Sequence, residues 1–391
     1  MAVNLTNADG ALKSFYLDAV TEQLNNNISP LLANFKKSTN DVWGKEVRKA
    51  TIYGVNGGIG AGTEDGDLPS ASNNNYSQIF MGLKNLYGTI EISDKAIRAS
   101  ENNSGAFVSL LNAEMDGLIK SSAFNFGRML FGDGTGTLAT VSSITNGVIS
   151  LSSTSNLIEG MVVDFRNANG EEIADATGRK IVLVNRLNKT IKVSGTTLTD
   201  SIVPKNSIIT VQGSYQNEIT GLGAIFGNGD TLYGLSKPEN AWLNPYKKDS
   251  VGEISESILQ TALDSIEEAG GESVNFIVCS YGVRRALLNL FASSKRSVDT
   301  LDLAGGFKAL SYNGIPIVAD RFCPAGTMYM LNTKDFTLHQ LCDWQWLTGD
   351  DGKVLKQIAG KPVYTATLVK YAELICARPY AQGKLSGITE A

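Results

Sequence analysis

The chain has 391 residues, 42% hydrophobic and 19% charged, with a net charge of −5; this describes a folded protein of two or three domains with sizeable cores and excludes a disordered chain. The acidic balance removes a global basic field for gripping nucleic acid. One histidine and four cysteines, Cys279, Cys323, Cys342 and Cys376, none in a C-x-x-C pair, argue against a zinc site and for reduced cysteines mostly buried in the C-terminal third.

Forty glycines against nine prolines point to many tight turns, a β-rich signature. The N-terminus shows no secretory leader, so cytoplasmic synthesis is expected. Residues 1–46 form an N-terminal arm, polar and Asn-rich around one amphipathic piece, Leu12 to Leu24, whose apolar face is Leu12, Phe15, Tyr16, Ala19 and Val20. With so little core of its own, the arm is expected to be ordered by the main body or by a neighbouring copy. Lys36-Lys37 reads as solvated charge.

Over residues 47–92, two extended segments, Val47–Tyr53 and Gln78–Ile92, flank a glycine-rich tip. Gly54, Gly57, Gly58, Gly60, Gly62 and Gly66 precede Leu68-Pro69 and a polar run from Ser70 to Asn75. The spacing is not G-x-G-x-x-G and no helix follows, which disfavours a phosphate cradle. A long protruding hairpin that reaches a partner is the simplest use of such a loop.

Ser104–Phe131 predicts the spine of the molecule. Phe107, Leu111, Met115, Leu118, Ile119, Ala123, Phe126 and Leu130 recur at helical steps, Ser104 can cap the start, and Gly132-Asp133-Gly134 supplies the stop. At 1.5 Å per residue the helix would be about 40 Å long. Asn112, Asp116, Lys120 and Arg128 occupy its other side, so it is expected to lie across a sheet with one face wet, and its charges are too frequent for a membrane span.

Residues 137–221 change character: they hold no Trp or Cys, and Phe165 and Tyr215 are their aromatics. Alternating runs at Thr137–Ile144, Val148–Leu151, Met161–Arg166, Ile181–Asn185, Thr190–Val193 and Ile208–Gln212 are separated by turn signals such as Asn146-Gly147 and Asn169-Gly170. They predict a small β-barrel or sandwich inserted into a host domain. Gly221–Gly234, glycine-rich without a phosphate-loop lysine, reads as the linker that returns the chain.

Residues 222–341 are mixed α/β. Ile254–Ala269 and Tyr281–Phe291 predict amphipathic helices around a buried strand, Val274–Cys279, with Arg284-Arg285 facing out and Lys295-Arg296 in the loop beyond. Phe307–Tyr312, Ile315–Asp320, Thr327–Leu331 and Phe336–Leu341 are expected to be strands of one sheet. In residues 342–391, Trp344 and Trp346 share a strand face, for core packing or a subunit contact. Pro362–Ala377 predicts a long strand that ties together the sheet carrying the spine helix.

Chemistry has little to stand on. His339 lies in an apolar strand without a nucleophile or carboxylate at useful spacing, and reads as structural. G-x-S-x-G, G-x-x-x-x-G-K-[ST] and H-E-x-x-H are absent. Asp133, Asp343, Asp350 and Asp351 could form a glycosidase-like pair, but Asp350-Asp351-Gly352 is first a turn signature. No enzyme, cofactor or metal is expected.

In order, the loop around Gly54–Pro69, the spine helix, the helix–strand–helix Glu253–Phe291, the phrase GFKALSYNGIPIVADRFCPAGTMYMLN at Gly306–Asn332 and the ending VYTATLVKYAELICARPYAQGKL resemble the major capsid proteins of tailed bacteriophages, whose shell fold is shared with encapsulins. The family's recurrent N-G-x-P-[IV] and V-x-D near a P-x-G turn stand here as Asn313-Gly314-Ile315-Pro316-Ile317 and Asp320. The resemblance implies an α+β shell subunit: the arm, an extended loop over 47–92, a peripheral domain over 93–136 and 342–391, the inserted β module, and an apical domain over 222–341. It implies hexamers and pentamers enclosing double-stranded DNA by weak, non-specific contact, with a portal and, because the arm is short, a separate scaffolding protein. A decoration protein is a further possible partner, and no membrane is involved. The virion capsid is the expected location, assembled in the host cytoplasm. Candidate subunit-interface residues are Lys49, Gly54, Gly58, Gly62 and Pro69 on the loop, with Arg284, Arg285, Arg296, Trp344 and Trp346; Lys49 and Lys84 border the loop, but neither is assigned as a crosslinking site. An encapsulin-like compartment and a carbohydrate-binding or adhesive β-rich protein are the alternatives.

Overall fold

The computed structural model describes residues 29–43, 46–95, 104–270, 272–293, 300–303, 307–349 and 352–391. The amphipathic piece Leu12 to Leu24, Lys295-Arg296 and Asp350-Asp351 lie outside them. The architecture is α+β, and its organising strand is Val363–Cys376. Lys84–Ser93 runs antiparallel to it on one side, from Ser93 opposite Val363 to Lys84 opposite Ala372, and Phe336–Trp346 on the other. Lys36–Ser38 and Lys356–Gln357 complete a five-stranded sheet.

The spine helix spans Ser104–Met129 and lies on this sheet. Its Met115, Ile119, Ala123, Phe126 and Met129 are buried against Leu86, Ile90, Ile92, Ala366 and Leu368. Gly88 marks the closest approach: a Cβ there would sit 2.9 Å from Leu118 Cδ1 and 3.0 Å from Ser122 Oγ. Lys120 is exposed and Asp116 half-buried. Arg128 departs from the expected wet side, because the helix ends under the return of the inserted module, where Glu218 meets the guanidinium in the interior.

Gln78–Ile92 is not one segment. It divides at Leu83: Asn75–Gly82 pairs with Glu46–Tyr53 as a hairpin, whereas Lys84–Ser93 joins the spine-helix sheet. The inward positions change phase there, from Ile79 and Met81 to Leu86, Ile90 and Ile92, and period two records faces without recording partners.

The inserted module is a closed barrel. Its six strands, in the order Thr190–Val193, Val148–Leu151, Thr137–Thr145, Ile208–Val211, Val162–Arg166 and Arg179–Asn185, enclose Val141, Ile149, Val163, Phe165, Ile181, Ile191 and Ile209. The Asn146-Gly147 turn has φ of 51° and 72°, the left-handed pair that a tight hairpin needs. Gly221–Gly234 is more than a linker. Leu222–Ile225 forms a helical turn with buried Leu222 and Ile225, and a Cβ on Gly221 would lie 2.3 Å from the Met129 carbonyl oxygen, so only glycine lets this segment pass against the end of the spine helix.

A seven-stranded mixed sheet follows, ordered Tyr246–Lys248, Gly383–Leu385, Met328–Leu331, Phe276–Cys279, Ile315–Ala319, Phe307–Tyr312 and Thr300–Leu303. Alternation assigns its two faces. Ile277, Cys279, Ile317, Met328 and Met330 pack with the helices Glu256–Gly270 and Tyr281–Ser293, and Phe276, Val278, Val318, Tyr329 and Leu331 join the spine-helix core. Phe336–Leu341 does not belong to this sheet, contrary to the sequence expectation. The 3-10 turn Thr333–Asp335, capped by the Asn332 side chain, carries the chain into the spine-helix sheet, where the strand runs on to Trp346. Among the described residues no helix is long and apolar enough to cross a membrane, and no His/Cys/Asp/Glu group is placed to hold a metal.

Candidate assembly surfaces

The hairpin Glu46–Tyr53/Asn75–Gly82 pairs in unbroken register from Glu46 opposite Gly82 to Tyr53 opposite Asn75. Beyond it, residues 54–74 form no strand or helix and are exposed apart from half-buried Gly58. At the base, Tyr53 stacks on Trp242 with centroids 5.8 Å apart. Gly54 leaves the strand at φ 69°, and the amide of Gly58 donates to Asn56 Oδ1. Gly62 is exposed near the tip, and exposed Pro69 lies across from Gly60. Lys49 is set apart from these, half-buried in the strand, with burial holding its ammonium below the usual lysine range.

The basic pair on the helix Tyr281–Ser293 splits. Arg284 lies over the Tyr281 ring at 5.4 Å, and Arg285 donates to the Ala391 carbonyl; Arg296 lies outside the described residues. Trp344 and Trp346 are buried in the chain's own core, Trp344 edge-on to Phe126. They are therefore packing residues within the subunit, and the strand-spacing signal did not distinguish the two uses. His339 is buried with no hydrogen bond at either ring nitrogen; burial, then nearby Lys49, push its pKa down to about 4 and keep it neutral.

Sequence reasoning missed the charged groups that join the elements. Arg128 forks onto Glu218 at 2.9 and 2.5 Å, tying the last turn of the spine helix to the segment after the barrel. Lys370, buried mid-strand, bonds Gln340 at 2.8 Å and Asp343 at 2.5 Å and lies over the Phe126 ring at 5.3 Å. Burial alone would raise the Asp343 carboxyl, but the Lys370 ammonium holds it at about 2. Glu373 accepts from the Thr220 amide at 2.6 Å and the Leu374 amide at 3.1 Å, and its other oxygen has no partner. Burial lifts its pKa to about 7. A lone charge inside an apolar run, as in TLVKYAELIC, was the available signal. Asp320, which the resemblance singled out, accepts from the Phe322 amide and from Ser29, fastening the start of the described arm to the seven-stranded sheet.

These features give a long helix packed on a sheet and a projecting hairpin. The sequence profile of the SU10 major capsid protein family matches residues 27–353. The chain belongs to the SU10 major capsid protein family. The solved capsid of cyanophage A-1(L) shares its fold, with a TM-score of 0.55 at 12% identity over 95% of this chain and 93% of that one. The capsid of the native GTA particle aligns with a TM-score of 0.47 at 10% identity over 94% and 91% of the two chains. The holo-SrpI encapsulin of Synechococcus elongatus PCC 7942 aligns with a TM-score of 0.45 at 10% identity over 93% and 89%. Among curated proteins none matches in sequence. The chain is thus a structural protein of a phage capsid.

Proposed function

We propose that this capsid protein assembles as hexamers and pentamers into an icosahedral head around double-stranded DNA, with no catalysis of its own. The hairpin is the observation that carries the reading. Val55, Ile59 and Leu68 are 75%, 79% and 91% exposed on a loop with no core of its own, and burying such side chains is worth about 1.5–3 kcal/mol each. A neighbouring subunit supplies that burial. The loop's glycines let one chain bend differently in five-fold and six-fold surroundings. In this scheme the spine-helix sheet forms the peripheral domain, the seven-stranded sheet the apical domain around the symmetry axes, and the barrel an inserted module. A net charge of −5 suits a container that confines DNA without gripping its phosphates. Assembly takes place in the host cytoplasm with a separate scaffolding protein and a portal; Arg285, on the exposed side of its helix, and Arg296 are placed at subunit contacts.

The test is to replace residues 54–74 by Asn-Gly. Since Tyr53 already faces Asn75, the hairpin should close and the subunit keep its fold by circular dichroism, while sedimentation shows no particles. Normal particles from this variant would remove the loop from assembly and with it the support for this reading.

A further inference from the structure

Two lysines share one concavity, and among the described residues neither is ion-paired. Lys237, 5% exposed, donates to the carbonyls of Gly227 at 2.9 Å and Ile225 at 3.4 Å. Lys247 donates to Asn228 Oδ1 at 2.7 Å and reaches the same Gly227 carbonyl at 3.5 Å, so the two ammonium groups are neighbours across one oxygen. Burial, then the proximity of Lys247, hold Lys237 below its ordinary range. A pocket of about 260 Å³ opens over them, lined also by Asn228, Gly229, Pro238 and Asn244. Asp230 lines it too, exposed, and pairs with neither lysine. Carbonyl partners satisfy N–H donors but leave a buried charge uncompensated, and Lys237 has used two of its three donors. Asp230 apart, the lining is basic or neutral, which suits an anion.

The chain also carries the complement. Glu64, Asp65 and Asp67 stand at the loop tip, on and beside a turn in which the Gly66 amide donates to the Thr63 carbonyl. All three are exposed, and none forms an ion pair among the described residues. No residue of 54–74 lines the lysine pocket of its own chain. The Tyr53–Trp242 stack fixes the base of the 54–74 loop beside the segment that leads into Asn244 and Lys247, so each subunit carries a loop root and a socket close together. Two different complementary patches on one chain are what a head-to-tail contact requires, and such contacts form rings where the rotation between copies closes.

We infer that the Lys237–Lys247 pocket receives a carboxylate from the Glu64–Asp67 loop tip of a second copy of this chain. This rests on the shell reading and adds to it the point where the loop lands. The pocket, at about 260 Å³, has room for a carboxylate side chain.

Charge reversal tests it in the full-length protein. Lys247→Glu, at a half-buried position, and the triple variant Glu64→Lys, Asp65→Lys, Asp67→Lys should each cut particle yield about tenfold or more, with unassembled subunits melting as wild type. Combining the two sets should restore most of the yield. As a measurement independent of variant folding, a synthetic peptide of residues 62–69 in excess should slow wild-type assembly, and the same peptide with its three acids as amides should not. Absence of wild-type particles under all conditions defeats the shell reading itself. Wild-type particles with undiminished assembly of both reversed variants overturn the socket alone. Normal shells of Lys247→Glu that fail to retain DNA would assign the pocket to phosphate and also overturn the proposal, as would equal effects of the two peptides.

Discussion

Arg128→Met should destabilise the subunit more than any exposed charge removal, because it strands Glu218. The two side chains are 4% and 2% exposed, the guanidinium makes two bonds to the carboxylate at 2.9 and 2.5 Å, and Asn125 Oδ1 accepts from the same guanidinium at 2.6 and 3.2 Å. Breaking such a pair from one side costs about 3–5 kcal/mol, since the remaining charge is buried without compensation. That is a large share of the ~5–15 kcal/mol by which a folded domain is stable. Arg128→Met with Glu218→Leu removes the desolvation cost together with the attraction, and should recover most of the loss. Urea unfolding of unassembled subunits measures both, followed by circular dichroism and by tryptophan fluorescence. The barrel has no tryptophan, so fluorescence reports the host alone. The single variant should lower the fluorescence midpoint, and the double variant should return near wild type. If the two single losses simply add in the double variant, to within about 0.5 kcal/mol, the pair does not join helix to return segment in the way described.

Three further outcomes are expected. The folded state holds the proton of Glu373 up to about pH 7, against 4.5 for the ordinary carboxyl, so its contribution is full below the lower value and is lost as pH rises through the higher one. At 1.36 kcal/mol per unit the loss is about 3 kcal/mol, and Glu373→Gln should flatten the fall in stability between pH 5 and 8; identical slopes for variant and wild type would contradict the assignment. Gly88→Val drives a side chain into Leu118 and Ser122 and should cost about 1–3 kcal/mol, read as a lower melting temperature, and an unchanged melt would mean that the helix does not cross there. Leu118→Pro should break the helix, at about 3 kcal/mol or more, and abolish particles; normal particles would show the bar to be dispensable.

The elements whose residues repeat with one period were legible in the sequence. The stripe Met115, Ile119, Ala123, Phe126 declared the spine helix, and the Asn146-Gly147 turn and its alternating flanks declared the barrel strands. Partner choice was not legible. Alternation changes phase after Leu83 and gives way to the polar turn Asn332–Asp335 between Leu331 and Phe336, yet neither interruption says which sheet the next strand joins. Buried charge was equally opaque: Arg128 sits on the helix face where a solvated residue belongs, and only Glu218, ninety positions on, makes that place tolerable. Trp344 and Trp346 carried a period that fits a core and a subunit contact equally well, and only their neighbours decide.

The central claim is that this chain tiles a closed shell, and electron microscopy of the full-length protein expressed with a scaffolding protein tests it most directly. The account predicts uniform closed particles in which five-fold and six-fold clusters are linked by the extended hairpins. Subunits that stay monomeric across salt and protein concentration, or that form only open aggregates, would contradict it.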